Sequence, residues 1–236
     1  MVAVVVFEFS VMRCQPLRRA LDFGVGSVDV LSIILGWLLG ILSPVIVSRV
    51  TRQYKRDDLH KGIMKEVDHI RERLLGNMHL LSHRTGSFDR ELAKWLLEKY
   101  SELDAVNPII LESYKTLLAA DDTEFEAYKY QFLKSQNTGL TLQKFQLTFV
   151  NMHLLEFSLF SSEFQTEMFE LKTRLEFLNS EIVLAEKYFF MTFDSGLSQE
   201  NLDIVKADLT NKYLHIETMI KRVVEQIETI CSVQKI

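Results

Sequence analysis

The sequence is poor in the residues that support loop-rich or disulfide-bonded folds. Only nine of its 236 residues are glycine and three are proline, which argues against a β-sandwich with many turns and against a collagen-like repeat. Its two cysteines, Cys14 and Cys231, cannot form a disulfide framework, and no Cys-x-x-Cys pair indicates a zinc site. The net charge of −5 offers no bulk attraction for nucleic acid, so we expect no nucleic-acid partner.

Catalytic signatures are lacking as well. The sequence has no Gly-rich phosphate-binding loop, no nucleophile elbow and no kinase or dinucleotide-binding fingerprint. It is nevertheless 47% hydrophobic and 25% charged, which is typical of a folded chain rather than a disordered one. We therefore expect a folded protein that is not an enzyme and needs no cofactor.

One long hydrophobic run stands near the start. Val30 to Ser48 are nineteen residues without a charge, bounded by Asp29 and Arg49. As a helix the run would be about 28 Å long, close to the ~30 Å hydrocarbon core of a bilayer. A buried core helix would show a polar face, and a cleaved signal peptide would be shorter and end in a small-x-small site. The run therefore predicts a transmembrane helix over residues 30–48.

Basic residues follow the run and predict its orientation. Residues 49–65 carry a net charge of +4, the preceding 48 residues are neutral and the remaining 171 carry −9. Because the cytoplasmic flank is normally the more basic one, we expect residues 49–236 to form a domain on the cytoplasmic side of a plasma membrane or bacterial inner membrane. Arg13, Arg18 and Arg19 oppose this orientation. The head, residues 1–29, shows no sustained period, so we expect it to be disordered or a mis-called start upstream of Val28.

Small residues inside the run recur every four positions, at Ser32, Gly36 and Gly40. Such a stripe lets two membrane helices approach closely, and it predicts a homo-oligomer through the transmembrane helix. The alternative is that glycine is simply frequent in membrane helices.

The basic collar offers contacts with membrane lipids. Arg49, Arg52, Lys55 and Arg56 can reach lipid phosphates near an anionic surface. An equally simple interpretation is that these charges act only as a topology signal.

Helical periodicity dominates the rest of the chain. Apolar residues spaced by three or four predict a first helix, with one face formed by Leu59, Ile63, Val67, Ile70, Leu74, Met78 and Leu81. Residues 83–87 indicate a loop. Shorter helices are predicted over about 88–103, 108–120 and 123–136, with Pro108 opening the second, Asp121 to Thr123 capping the third and residues 137–139 closing it.

The strongest periodic signal predicts a long helical hairpin. Steps of three and four run without slipping from Leu147 to Phe189, and again from Leu202 to Ile230 beyond a turn at Asp194-Ser195-Gly196. Two long helices joined this way fold back as an antiparallel, coiled-coil-like hairpin. A continuous helix over 140–193 would span about 80 Å, so we expect a break around residues 158–162.

Apolar residues outside the stripe of the first long helix favour a bundle over a bare coiled coil. They are Phe149, Met152, Leu155, Phe160, Phe169, Phe177, Val183 and Phe190. We expect them to pack against further helices, with residues 59–81 and 88–136 as partners. The predicted fold is all-α: one transmembrane helix followed by an antiparallel helical bundle.

Two pairs of residues, one Glu–His and one His–His, have a spacing that could place metal ligands on one helix face. Glu66-x-x-His69 has the spacing used in di-iron bundles, but no second such pair exists, so a solvated face is the simpler interpretation. His79 and His83 lie one turn apart at a helix end beside a loop, without an acidic cluster. We expect no metal site.

These features together predict a single-pass, membrane-anchored interaction protein that tethers or recruits an unknown protein partner. One alternative is a signalling or effector protein whose transmembrane helix switches oligomeric state. A second alternative is a metal-dependent helical-bundle enzyme.

Overall fold

A computed structural model describes residues 25–104, 106–134, 140 and 142–233, which contain eight helices and no strand. The helices are α1 (Val25–Thr85), α2 (Arg90–Ser101), α3 (Pro108–Ala119), α4 (Asp122–Lys134), α5 (Thr148–Met152), a 3₁₀ helix (Leu154–Leu159), α6 (Ser162–Met191) and α7 (Gln199–Val233). The all-α prediction is confirmed. Most of the predicted head lies outside the described residues, which begin at residue 25.

The chain divides within α1 into two compact units, Met1–Thr51 and Arg52–Ile236. The described part of the first unit is the beginning of α1. It holds a stretch that is long and apolar enough to cross a membrane, and none of its apolar window is buried within the protein. Length and composition alone establish this property. The second unit is called the helical bundle below.

Within the helical bundle, α1 contributes its predicted apolar stripe to the core. All seven stripe residues are at most 7% exposed: Leu59, Ile63, Val67, Ile70, Leu74, Met78 and Leu81. All of them except Leu59 belong to one hydrophobic cluster with residues of α2, α3, α6 and α7, as predicted. Residues 52–58 of α1 are exposed, so the bundle core begins at Leu59.

Side-chain caps define where the short helices begin. Asp89 accepts a hydrogen bond from the Leu92 N–H at the start of α2, and Asp121 accepts one from the Glu124 N–H at the start of α4. Pro108 is the first residue of α3, where its missing N–H has no intrahelical partner to lose. The predicted closing residues 137–139 lie outside the described residues.

Helices α6 and α7 form the predicted antiparallel hairpin. Gln226 Nε2 donates to Glu167 Oε2 at 2.6 Å, and Lys212 Nζ lies 2.8 Å from Glu181 Oε2. Residue numbers on α7 therefore decrease as those on α6 increase, which shows that the two helices are antiparallel. The predicted break is confirmed, because Ser161 caps α6 through the Phe164 N–H. The helical pattern upstream is interrupted more than expected, since residues 142–147 are not helical and the next turns are split between α5 and the 3₁₀ helix.

The wide buried surface that was predicted for the first long helix of the hairpin, α6, is found on the second one, α7, instead. Beside its predicted stripe, α7 buries a further row formed by Tyr213, Glu217, Ile220, Val224 and Ile227. Polar contacts join α7 to three helices: Gln226 contacts α6, Glu228 contacts α1 through Arg71, and Lys221 lies 5.9 Å from the ring centre of Trp95 on α2. Helix α7 is therefore central.

Helix α6 lies at the edge of the bundle, which makes one prediction wrong. Its inner stripe is buried against α7 as expected, but six residues predicted to pack against further helices are exposed: Met152, Leu155, Phe169, Phe177, Val183 and Phe190. Only Phe149 and Phe160 of that set are partly buried in the core. Periodicity identified the packed face correctly, but it could not tell how many helices would surround α6.

Candidate functional site

The predicted helix-pairing positions lie in the first unit. Ser32, Gly36 and Gly40 are exposed on α1. A Cβ added at either glycine would meet no atom within 4 Å. The surface there is open, and pairing through it stays a prediction.

The four residues predicted to contact lipid headgroups are exposed on α1. Lys55 Nζ lies 3.4 Å from Glu156 Oε1 in the 3₁₀ helix, and Arg56 contacts the neighbouring Asp57 at the same distance. Arg49 and Arg52 complete the set. The Lys55 contact shows where the 3₁₀ helix lies in the bundle: beside the exposed part of α1, ahead of the first buried residue, Leu59.

Glu66 anchors the segment that carries this 3₁₀ helix. Its carboxylate accepts hydrogen bonds from the backbone N–H groups of Phe149 at 2.8 Å and Val150 at 3.1 Å. These donors belong to the first turn of α5, whose own N-cap residue, Leu147, makes no side-chain cap. Glu66 was predicted to lie on a solvated face. It is half-buried, and it caps a helix far away in sequence.

Gly62 permits the same segment to pack tightly on α1. A Cβ built at this glycine would lie 2.3 Å from Cζ of Phe149. The ring of Phe149 therefore occupies the space that any larger residue would need. Together with buried Val150 and Phe157, this contact holds residues 148–160 against α1, and we call these residues the proximal segment.

Replacing Glu66 with alanine is expected to loosen the proximal segment. Two backbone donors in a partly buried site would lose their acceptor, which should cost about 1 to 2 kcal/mol of unfolding free energy. Hydrogen exchange followed by mass spectrometry should show faster exchange in the peptide containing Phe149 and Val150.

Glu72 offers a matched control for Glu66. Its side chain is 48% exposed and only 4.0 Å from the exposed His69 imidazole. Glu72→Ala should change the unfolding free energy by less than about 0.5 kcal/mol. Equal exchange rates in the Glu66 and Glu72 variants would contradict the capping role.

The proximal segment has an apolar tip. Met152 is 69% exposed, Leu154 39% and Leu155 93%, although both ends of the segment are anchored in the bundle. Their neighbour His153 has its Nδ1 3.8 Å from Glu156 Oε2, and Glu156 also contacts Lys55. The tip thus combines free apolar side chains with a fixed backbone support.

A second exposed apolar surface is the outer face of α6. It is formed by Phe169, Phe177, Val183, Leu184 and Phe190. Phe177 also lines a groove of about 690 Å³ between α6 and α7, and Arg174, Glu181 and Arg222 are among the other residues that line it. Periodicity alone misses this face because it reports the packed stripe. The available signal was the excess of phenylalanine outside that stripe.

Arg71 forms the main charged network of the bundle. Its side chain is 4% exposed, and its guanidinium contacts Glu102 after α2 and Glu228 on α7. Lys99 Nζ lies 2.8 Å from Glu228. Burial acts to raise the pKa of Glu102, but the hydrogen bonds and charges of Arg71 and Lys99 together outweigh burial and hold that pKa below its ordinary value. The network ties three helices together and needs no ligand.

The paired histidines lie in an aromatic cluster rather than at an open helix end. His79 Nδ1 lies 2.8 Å from the Tyr114 hydroxyl, and the His83 ring stacks on Phe88 with centres 4.0 Å apart. Burial lowers the pKa of His79 to about 4, and burial together with the charges of His79 and Lys129 lowers that of His83 to about 3. Within the described part of the chain no group of three or more His, Cys, Asp or Glu could hold a metal ion.

A buried carboxylate on α7, Glu217, holds the end of α1. Glu217 accepts hydrogen bonds from the hydroxyls of Thr85 at 2.6 Å and Ser87 at 2.7 Å. Burial raises its pKa, which the two hydroxyls and Lys221 partly offset. These contacts fix the end of α1 on α7, and they are structural.

Comparison with known proteins identifies no relative of this chain. The chain matches no protein-family model, no curated protein and no solved structure.

Proposed function

We propose that this chain is a single-pass, membrane-anchored interaction protein whose helical bundle lies on the cytoplasmic side and recruits a protein partner. The apolar stretch of α1 would anchor it, in keeping with the uncharged run over residues 30–48 and the basic collar behind it.

The observation that carries the proposal is the outer face of α6. Exposed apolar residues scattered singly are ordinary, but several large ones on one side of a helix mark a candidate surface for protein contact. Here Phe169, Phe177 and Phe190 are 48%, 63% and 62% exposed on one helix whose opposite side is fully packed. Aromatic side chains contribute much of the binding energy of interfaces.

Charged residues line the groove beside this face. Arg174 Nε lies 2.9 Å from Glu170 Oε1, and its Nη1 donates to the Arg222 backbone carbonyl on α7. Apolar centres surrounded by charged residues are typical of interfaces between proteins that also exist separately. A partner would therefore place apolar or aromatic side chains over Phe177, and its polar groups would contact the charged residues of the groove.

Crosslinking and pull-down from native membranes tests this function. Phe169→Ser with Phe177→Ser should greatly reduce the recovery of a partner that the unchanged chain captures. Because both side chains are exposed, the unfolding free energy should change little, by about 0.5 kcal/mol for each substitution.

The matched control is Ile109→Ser with Ile204→Ser, which removes exposed apolar residues from α3 and α7 instead. These changes should leave partner recovery intact. If both double variants recover the same proteins as the unchanged chain, the outer face of α6 is not the binding surface. Release of the protein from membranes by alkaline carbonate would contradict the anchor.

A further inference from the structure

We propose that the apolar tip of the proximal segment, Met152, Leu154 and Leu155, inserts into the headgroup region of the bilayer that holds the α1 span. The protein would then contact its membrane twice, through the span and through this tip. The inference rests on the proposed membrane anchor and goes beyond it, because it assigns a lipid-binding role to a segment about a hundred residues away in sequence.

The first support is the position of the tip along α1. Glu156, the residue next to Leu155, contacts Lys55, and Lys55 follows Ser48 by seven residues. Seven residues span about 10 Å as a helix and at most about 25 Å fully extended. The headgroup layer adds roughly 5 to 8 Å outside each face of the hydrocarbon core. Chain length therefore limits Lys55, and the tip beside it, to within about 25 Å of the end of the uncharged run.

The second support is that the bundle holds the tip in an exposed position. Glu66 caps α5, Phe149 packs over Gly62, and Phe157 is 3% exposed, so both flanks are fixed. Leu155, between them, is 93% exposed. A mobile loop could fold such a side chain back onto the core. This segment cannot do so without losing its anchors.

The third support is the charge around the tip. Arg52, Lys55 and Arg56 are exposed on the adjacent part of α1, where Asp57, Asp58 and Glu156 offset their charge locally. Apolar side chains beside basic ones are the composition of interfacial membrane-binding elements, whose apolar side enters about 5–10 Å into the headgroup boundary. Anionic lipid headgroups complement the basic residues.

A bilayer fits the tip better than a protein does. Standard protein interfaces bury about 800 Å² on each partner around an aromatic or arginine centre. The tip has three aliphatic side chains and no aromatic residue among them. A lipid surface requires no matching pocket, so a small apolar projection suffices.

A fluorescent label at residue 155 tests the inference in the full chain. In a Cys14→Ser, Cys231→Ser background, Leu155→Cys would carry an environment-sensitive nitrobenzoxadiazole label. The matched control is Ser195→Cys, exposed in the turn before α7 at the other end of the hairpin. Each protein would be reconstituted in phosphatidylcholine vesicles with and without about a third phosphatidylglycerol, and circular dichroism would confirm equal helix content.

We expect the label at residue 155 to emit at shorter wavelength and to lose emission when lipids carrying a shallow spin label are added. The label at residue 195 should show neither effect. Quenching at residue 155 in both vesicle types indicates insertion driven by the apolar tip, and quenching only with phosphatidylglycerol indicates that the basic residues are also needed. Either result supports the proposal.

Emission at residue 155 that matches residue 195 in both vesicle types would overturn the inference. Flotation separates this outcome from failure of the anchor. Protein that floats with the vesicles while residue 155 stays unquenched refutes the tip contact alone. Protein that does not float at all refutes the membrane anchor itself.

Discussion

Lowering the pH from 7 to 5 is expected to remove about 4 kcal/mol of the stability that His79 and His83 contribute to the helical bundle. The ordinary pKa of histidine is 6.5, and in the folded protein burial lowers it to about 4 for His79 and about 3 for His83. Between pH 7 and pH 5 each depressed pKa corresponds to about 2 kcal/mol of unfolding free energy.

The direction of this change in stability with pH depends on which protonation state of the histidines the folded protein favours. A depressed histidine pKa means that the folded state favours the neutral imidazole. The contribution is therefore fully present above pH 6.5, and it is lost as the pH falls toward the folded values of about 4 and 3. Glu217 acts in the opposite direction, because its pKa is raised and its protonation stabilises the fold in acid.

Variants separate the histidine contribution from that of the carboxylates. His83→Phe keeps a ring on Phe88 and cannot titrate, so the loss of stability between pH 7 and pH 5 should shrink by about 2 kcal/mol in urea titrations of the detergent-solubilised chain. His69→Gln, at a side chain 66% exposed, should keep the full pH dependence. An unchanged pH dependence in His83→Phe would show that this histidine is not held neutral.

Replacing Arg71 with methionine is expected to destabilise the bundle by about 3 kcal/mol. The variant keeps much of the side-chain volume but leaves Glu102 and Glu228 facing each other with Lys99 as their remaining cation. Removing one member of a buried ion pair costs about 3–5 kcal/mol, because the other charge stays buried without compensation. Both carboxylates are partly exposed and can gain water, which places the effect at the lower end.

Arg174 provides the surface comparison. Its ion pair with Glu170 joins partly exposed side chains one turn apart on α6, where such pairs contribute about 0.3–0.5 kcal/mol. Arg174→Met should therefore change the unfolding free energy far less than Arg71→Met. Adding Glu228→Gln to Arg71→Met should recover part of the loss. Similar losses for the two single variants would show that the Arg71 network is not specially buried.

The inner faces of the helices were predictable because they depend on local spacing. Leu59, Ile63 and Val67 on α1 recur every four residues, and each is buried. The cap at Asp121 was predictable for the same reason, since it accepts a hydrogen bond from the backbone N–H three residues later. Such patterns need no knowledge of which helix packs where.

Features that depend on distant residues could not be predicted in this way. Glu66 caps α5 across 83 positions, and position 62 has no room for a larger residue because the Phe149 ring lies over it. The exposure of Phe169 and Phe177 depends on how many neighbours α6 has. Periodicity locates a packed stripe, but the number of surrounding helices follows from the whole topology.

The central place of α7 has a consequence for synthesis of the protein. Helix α7 follows every other described helix in the chain, yet it covers buried faces of α1, α2 and α6. At about 5–20 residues per second, a ribosome needs roughly 10 to 35 s to pass from Leu59 to Val233. During that interval the apolar stripes of the earlier helices have no α7 to cover them, so we expect the nascent chain to be a client of chaperones that shield apolar surface.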